Sequence, residues 1–235
     1  MSDALLTILA GALCLGVPVA LVVVLIVLAV RASERRRQER IATLSGWATH
    51  RDWEYRQSDA TLVDRFRGAP FGRGHARSAT NVVLGRHDGR PFVAFDYRFT
   101  TGSGDDSTRH LVSVLAMNLG ATTPGLAVAP TGTFGRLVNA ITGRDTLLGV
   151  PGFDEAFTVT SPSPEFARDV LQPAVLDVVR RRPDLAWRFS GDSMLVLRNG
   201  QHSPAEVEDK LLFMDAVIDR VPAHVWDRLS PGSAR

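Results

Sequence analysis

Between Ala4 and Val30 the chain has 27 consecutive positions without a charged side chain. Almost all of them are apolar, and no polar face interrupts the run. That pattern predicts a helix hydrophobic all round, the signature of a membrane span rather than a core helix. At ~1.5 Å per residue it extends about 40 Å, against a hydrocarbon core of ~30 Å. A cleaved signal peptide would need a basic start, a shorter apolar centre and a small-residue cleavage site. Here the start carries Asp3, and Arg31 follows Val30 with no such step.

Beyond the span the hydrophobic spacing changes repeatedly. Ile41, Leu44, Trp47 and Ala48 recur at helical intervals and predict a helix to about Arg51. Trp53–Gln57 reads as a short strand, and Asp59 as the cap of a brief helix carrying Leu62, Val63 and Phe66. Asn81–Arg86 and Val93–Phe99 flank Asp88-Gly89, a dipeptide that suits a tight hairpin turn. Along the return strand Val93, Phe95, Tyr97 and Phe99 alternate with Ala94, Asp96 and Arg98. The pattern predicts one buried face and places Asp96 on the face away from the core.

Further strands are expected at Leu111–Leu119, Leu126–Ala129 and Phe157–Thr160. A second hairpin, Ala186–Ser190 and Met194–Arg198, would turn at Gly191-Asp192. Phe134–Ile141 reads as a short helix. Ser163-Pro164-Glu165 opens another, which Pro173 kinks or restarts. Ser203-Pro204-Ala205-Glu206 forms a capping box, followed by the apolar stripe Val207, Leu211, Met214, Ile218 and Val221.

The expected fold is therefore α+β: an N-terminal transmembrane helix followed by a mostly antiparallel sheet with helices packed on one face. The expected divisions are a transmembrane anchor at 1–30, an Arg-rich juxtamembrane helix or linker at 31–51, a globular α+β domain at 52–229 and a flexible tail at 230–235.

Composition sharpens this reading. The pI of about 9.2 invites a nucleic-acid partner. However, residues 31–40 hold five arginines, namely Arg31, Arg35, Arg36, Arg37 and Arg40. Setting aside these five and the acids Asp3, Glu34 and Glu39 leaves 22 basic and 22 acidic residues in 41–235. The domain is formally neutral, which argues against nucleic-acid binding. The basic cluster lies on the C-terminal side of the span, with no Lys or Arg on the other side. Positive residues stay in the cytoplasm, so the N-terminus should face out and the globular domain should be cytoplasmic. The same five arginines can hold anionic headgroups at roughly 1 kcal/mol each, although a topology signal alone explains them. The lipid bilayer is thus the first expected partner. Ala12, Gly16 and Ala20 make a small-residue face through which the span could form a homodimer, although such spacing is common in Ala- and Gly-rich helices and Pro18 perturbs the region.

Candidate chemistry is sparse. The sole cysteine, Cys14, lies in the apolar run, which excludes an intrachain disulfide, a Cys-rich zinc site and an aqueous cysteine nucleophile. The six histidines show no helical ligand spacing, so no metal is expected, and no cofactor motif occurs. Phe71-Gly72-Arg73-Gly74-His75-Ala76-Arg77 combines glycines with Arg73, His75 and Arg77, a composition able to cradle an anion but more often that of a surface loop bent by its glycines. Gly191-Asp192-Ser193 resembles the start of an esterase motif, yet no triad partner follows it. No catalytic residue stands out.

Three stretches together carry a resemblance: "GWATHRDWEYRQSDATLVDRFRGAPFGRGHARSATNVVLGRHDGRPFVAFDYRF", "GFDEAFTVTSPSPEFARDVL" and "HSPAEVEDKLLFMDAVIDRVP". With the span and its arginine flank they resemble an uncharacterised actinobacterial family of single-pass membrane-anchored proteins, whose domain has no assigned function. The resemblance implies membrane anchorage and implies no catalytic or binding residue. The expected role is a cytoplasmic, non-catalytic domain that binds another protein or the membrane surface. The alternative is a membrane-associated hydrolase acting on an anionic or lipid-linked substrate through Arg73, His75 and Arg77. A domain facing outward, toward the cell envelope, would require the charge rule to fail.

Overall fold

The strand read from Val93 to Phe99 lies inside the sheet, and both of its faces are covered. In the computed structural model it forms part of β3 (Arg90–Thr101). The structure describes the backbone of residues 2–138, 144–145 and 148–229, and the side chains of 21–132, 134–138 and 148–229. Val93, Phe95, Tyr97 and Phe99 enter one apolar core, while Phe92 and Ala94 enter a second on the opposite face.

Among the described residues seven strands make one antiparallel sheet. β1 (Glu54–Ser58) is an edge paired with β2 (His75–His87), which pairs with β3 across the Asp88-Gly89 turn. Both turn residues have positive φ, 46° and 75°, as a two-residue hairpin of this kind requires. β4 (Thr108–Pro130) follows and is long enough to hold three partners. β7 (Ala186–Asn199) runs along one side of it, from Val112↔Asn199 to Val128↔Trp187. On the other side β3 pairs with residues 108–117 of β4, and β6 (Phe157–Ser161) with residues 127–130. β5 (Arg144–Asp145) edges β6.

Two expected pairs of strands are therefore one strand each. Leu111–Leu119 and Leu126–Ala129 are parts of β4, and Gly191-Asp192 lies within β7, opposite a bulge of β4, rather than in a turn between two strands. Register shifts mark the site between Asn118, Thr123 and Leu126. Gly120 and Gly191 take φ of 72° and 62° there. Asn118 Nδ2 donates to Asp192 Oδ2 at 2.8 Å, and Thr123 Oγ1 to the Gly191 carbonyl at 3.0 Å, so side chains of the bulged β4 bond across to β7 where the ladder is interrupted.

The helical layer covers one face: α3 (Phe153–Ala156), α4 (Pro164–Val170), α5 (Pro173–Arg180), α6 (Pro204–Ile218) and α7 (Ala223–Leu229). Ser163 caps α4 through the Phe166 N–H, and Pro173 starts α5 afresh. The stripe read on α6 is buried throughout. Its capping box is only half made. Ser203 Oγ accepts from the Glu206 N–H at 3.3 Å, while the Glu206 side chain is drawn instead to Lys210 and Arg198.

The other face is not open, which corrects the expectation of a one-sided sheet. Residues 59–74 and α2 (Thr133–Val138) lie over it, burying Leu62, Phe71 and Val138 against Phe95 and Tyr97. Arg188, 2% exposed, fastens this cover from β7. Its Nη1 donates to the Ala69 carbonyl at 2.6 Å and its Nη2 to that of Arg67 at 3.0 Å. The guanidinium also lies 5.4 Å from the Phe71 ring centroid. Burial lowers the Arg188 pKa to about 10, which still leaves it charged at neutral pH.

The chain divides into two units, Met1–Thr43 and Leu44–Arg235. The first belongs to α1 (Ser2–His50). Among the described residues no helix is long and apolar enough to cross a membrane. The side chains of residues 1–20, including Ala12, Cys14, Gly16 and Ala20, lie outside the described residues, as do residues 230–235 and Ile141. Within the second unit the end of α1 is held to α6: Trp47 Nε1 donates to Glu208 Oε1 at 2.9 Å, and Arg51 pairs with the same oxygen at 2.5 Å.

Replacing Arg188 by Met removes both bonds to the cover and strands two carbonyls. The expected cost is about 2–3 kcal/mol in denaturant unfolding, with faster amide exchange concentrated in residues 60–74. Exchange there no faster than in the native chain would mean that Arg188 does not hold the cover.

Candidate interaction site

Two polar arrangements lie on and under α6. The first is buried. Asp96, expected on an outer face, is 0% exposed beneath the helical layer, because the sheet is covered on both sides. Its Oδ1 accepts the His202 backbone N–H at 2.8 Å and lies 3.1 Å from His202 Nδ1, and its Oδ2 accepts from Asn81 Nδ2 at 2.8 Å. Burial pushes the Asp96 carboxyl up, but the bonds from His202 and Asn81 outweigh it and hold its pKa below the ordinary carboxylate range. One turn into α6, Lys210 is equally inaccessible. Its Nζ donates to Ser113 Oγ at 2.6 Å and to the Ser113 carbonyl at 3.0 Å, and lies 3.0 Å from Glu206 Oε1. Arg198 pairs with Glu206 at 3.1 Å and Asp184 at 3.6 Å. Burial drives the Lys210 pKa down to about 8, against the upward pull of Glu206. Asp96, His202, Glu206 and Lys210 are buried, while Arg198 and Asp184 are partly exposed, and together these contacts tie α6 to the sheet.

The second arrangement is open. α5 and α6 form a shallow groove of about 250 Å³ whose floor is Val178, Phe213 and Ala216. Leu212 at its lip is 63% exposed, the most solvent-open large apolar side chain described in the domain. Arg181, Arg182 and Arg220 surround it, with Asp209 as the acidic member. Arg182 is taken up by Asp184 at 3.2 Å and reaches Asp209 at 4.0 Å. Arg220 donates to its own helix at Ala216. Arg181 is exposed, so the groove presents a positive rim around an apolar centre.

The fold has a counterpart among solved structures. The domain resembles a mycobacterial protein. That structure is the crystal structure of the mycobacterial trehalose monomycolate transport factor A, TtfA, with 16% sequence identity and a TM-score of 0.58. The match covers 77% of this chain and 96% of that one. At this identity the likeness to TtfA is one of fold. No protein-family model matches the chain, and no curated protein does.

The residues singled out from sequence are placed as follows. Arg73 and His75 are exposed where the cover loop leads into β2. Arg77 is held by Asp64 at 2.6 Å, an ion pair that raises its pKa. The flank arginines Arg31, Arg35, Arg36 and Arg37 are exposed on α1, with Arg37 3.8 Å from Glu34.

A metal-competent set went unseen in the sequence. His87, Asp88 and Asp215 bring one ring nitrogen and two carboxylates within 4.8 Å of one another, the donor types suited to a divalent cation. His87 and Asp215 are 128 positions apart, so spacing could not reveal them. The 2.6 Å bond from His87 Nε2 to Asp215 Oδ2 already explains their closeness as a tie between hairpin and helix.

The buried lysine has a signed consequence. Its pKa is about 8 in the fold, whereas an open chain keeps the proton to about 10.4. Between these values the unfolded chain binds more protons, so this group's contribution to stability rises with pH, by up to about 3 kcal/mol. Unfolding free energies of the native chain and Lys210→Met, compared at pH 7.5 and pH 10, should show the native chain gaining on the variant. Parallel profiles would mean that Lys210 titrates normally.

Proposed function

We propose that this chain is a membrane-tethered accessory protein of cell-envelope lipid transport, whose domain acts by binding an anionic membrane surface and performs no catalysis. The observation that carries the reading is the TtfA fold, which spans nearly all of that chain. TtfA is a trehalose monomycolate transport factor, and the present chain joins a similar fold to an apolar run and an arginine flank.

In this reading residues 4–30 span the membrane once, with the N-terminus outside and the domain in the cytoplasm. Arg31, Arg35, Arg36, Arg37 and Arg40 lie at the headgroups. The α5–α6 groove is the domain's contact surface. An exposed leucine ringed by arginines matches a bilayer interface, where the apolar tip enters the acyl boundary and the guanidinium groups remain among phosphates. The buried Asp96–His202 and Lys210–Glu206 pairs support the surface by holding α6 rigid beneath it.

Topology is tested with a single cysteine. In a Cys14→Ser background, Ser103→Cys sits in the exposed loop between β3 and β4. The expected result is protection from a membrane-impermeant maleimide in intact cells and labelling after lysis. Labelling of intact cells would place the domain outside and overturn the orientation.

The contact surface is tested with the full chain in liposomes. A Leu212→Cys site in the same background carries a polarity-sensitive dye. The dye should shift to the blue in vesicles containing phosphatidylglycerol but not in phosphatidylcholine alone, and Arg181→Glu with Arg220→Glu should abolish the shift. Identical spectra in both vesicles would remove membrane docking from the proposal.

A further inference from the structure

The sheet divides along β4, and the division leaves a second, chemically distinct cavity. β7 pairs with β4 both at residues 112–118 and at 126–128. β3 shares the first stretch and β6 the second, so β3 and β6 lie end to end on the side of β4 opposite β7. The last β3 pair is Phe92↔Met117 and the first β6 pair involves Ala127, which leaves residues 118–126 of β4 without a strand on the side opposite β7. Pro91, next along β3, has no N–H to extend the ladder.

A cavity of about 250 Å³ occupies part of this gap. Leu119, Gly120 and Ala121 line it from β4, Ile218 and Trp226 from the helical layer, and Arg90 from the start of β3. Arg90 is half-buried and has no hydrogen-bonding or ion-pair partner among the described residues. Asp215, one turn from Ile218 on α6, is already taken by His87 at 2.6 Å. The cavity thus holds one uncommitted guanidinium beside the apolar side chains of Leu119, Ala121, Ile218 and Trp226.

We infer that this fork in the sheet is a binding site for a small monocarboxylate with an aliphatic body. A guanidinium fork matches a carboxylate in shape and charge. Arg90 is the sole cation lining the cavity, so a single negative charge is balanced, whereas a phosphate dianion would retain an unpaired charge. Leu119, Ile218 and the Trp226 ring supply apolar contact for the body. The volume accommodates roughly eight non-hydrogen atoms at about 30 Å³ each, the size of hexanoate. Gly120, with φ of 72°, lets the β4 backbone form a wall without a side chain entering the space. The site belongs to the domain and is independent of how the chain is tethered.

The test uses the full chain in detergent and hexanoate as the probe, with binding followed by saturation-transfer NMR. The Trp226 indole N–H resonance, assigned by its loss in Trp226→Phe, is monitored in parallel. Saturable 1:1 binding is expected with Kd on the order of 1 mM, appropriate for so small a ligand, together with a shift of the Trp226 signal. Arg90→Gln should weaken hexanoate by about tenfold and leave the weaker binding of uncharged 1-hexanol unchanged. Ala121→Leu fills the space and should abolish both, with an unchanged circular dichroism spectrum showing that the variant is folded. Non-saturable uptake of hexanoate, or equal affinity in native chain and Arg90→Gln, would overturn the site. Tighter binding of hexyl phosphate than of hexanoate would overturn the monocarboxylate class.

Discussion

The pairing of β4 with β7 is the constraint on which the rest of the domain depends. Backbone hydrogen bonding cannot be left unmet inside a buried sheet, so this ladder fixes the position of every element that crosses it. β4 carries β3 and hence the β1–β2 edge, and its far end carries β6 and β5. Through β7 the same ladder places Arg188 under the cover loop and Trp187 in the opposite core. The two cores are therefore two sides of one pairing. The polar groups between them, Asp96 on β3 and Ser113 on β4, sit where α6 can reach them with His202 and Lys210. A helix fixed by buried charges presents its outer face, Leu212 with the nearby arginines, in one orientation only.

How far the sequence revealed this depends on the range of the interactions. Local signals were legible. Asp88-Gly89 marked its hairpin because positive φ is a property of the turn itself, Ser163 and Ser203 marked helix starts through neighbouring N–H groups, and the α6 stripe followed from 3.6-residue periodicity. Long-range effects were not. Gly191-Asp192 has the composition of a turn, and only the facing bulge around Gly120, some 70 positions earlier, makes it a kink within one strand. Asp96 alternates with aromatic residues as a solvent-facing position would. Its burial depends on His202 and Asn81, which no pattern near it announces. Glu206 fits a capping box by spacing but is claimed by Lys210 and Arg198. Arg73, His75 and Arg77 attracted notice by composition, whereas Arg90 and the α5–α6 arginines did not, because a binding surface is defined by what lies beside it in space.

The fold shared with TtfA and the chemistry of the surface address different levels of function. The first supplies an architecture, two cores around a split antiparallel sheet. The second supplies local properties of this chain, a basic rim about an exposed leucine and an uncommitted arginine at the fork. Neither arrangement sets a nucleophile beside a base. In the proposed readings both serve recognition, one of a broad anionic surface and the other of a single small anion. They lie on separate parts of α6, around Leu212 and around Ile218, and so can be occupied independently.

The split along β4 also has a consequence for how the protein is made. Both halves of the sheet share one backbone, and the strand that completes both, β7, is encoded more than fifty residues later. While the chain emerges from the ribosome, β1 to β4 can assemble as a meander, but one edge of β4 stays bare along its whole length until Ala186–Asn199 arrives. A bare edge of that length is a template for pairing with a neighbouring chain. Nascent copies held close together would meet that hazard at its greatest, so the domain gains from swift release of the last fifty residues.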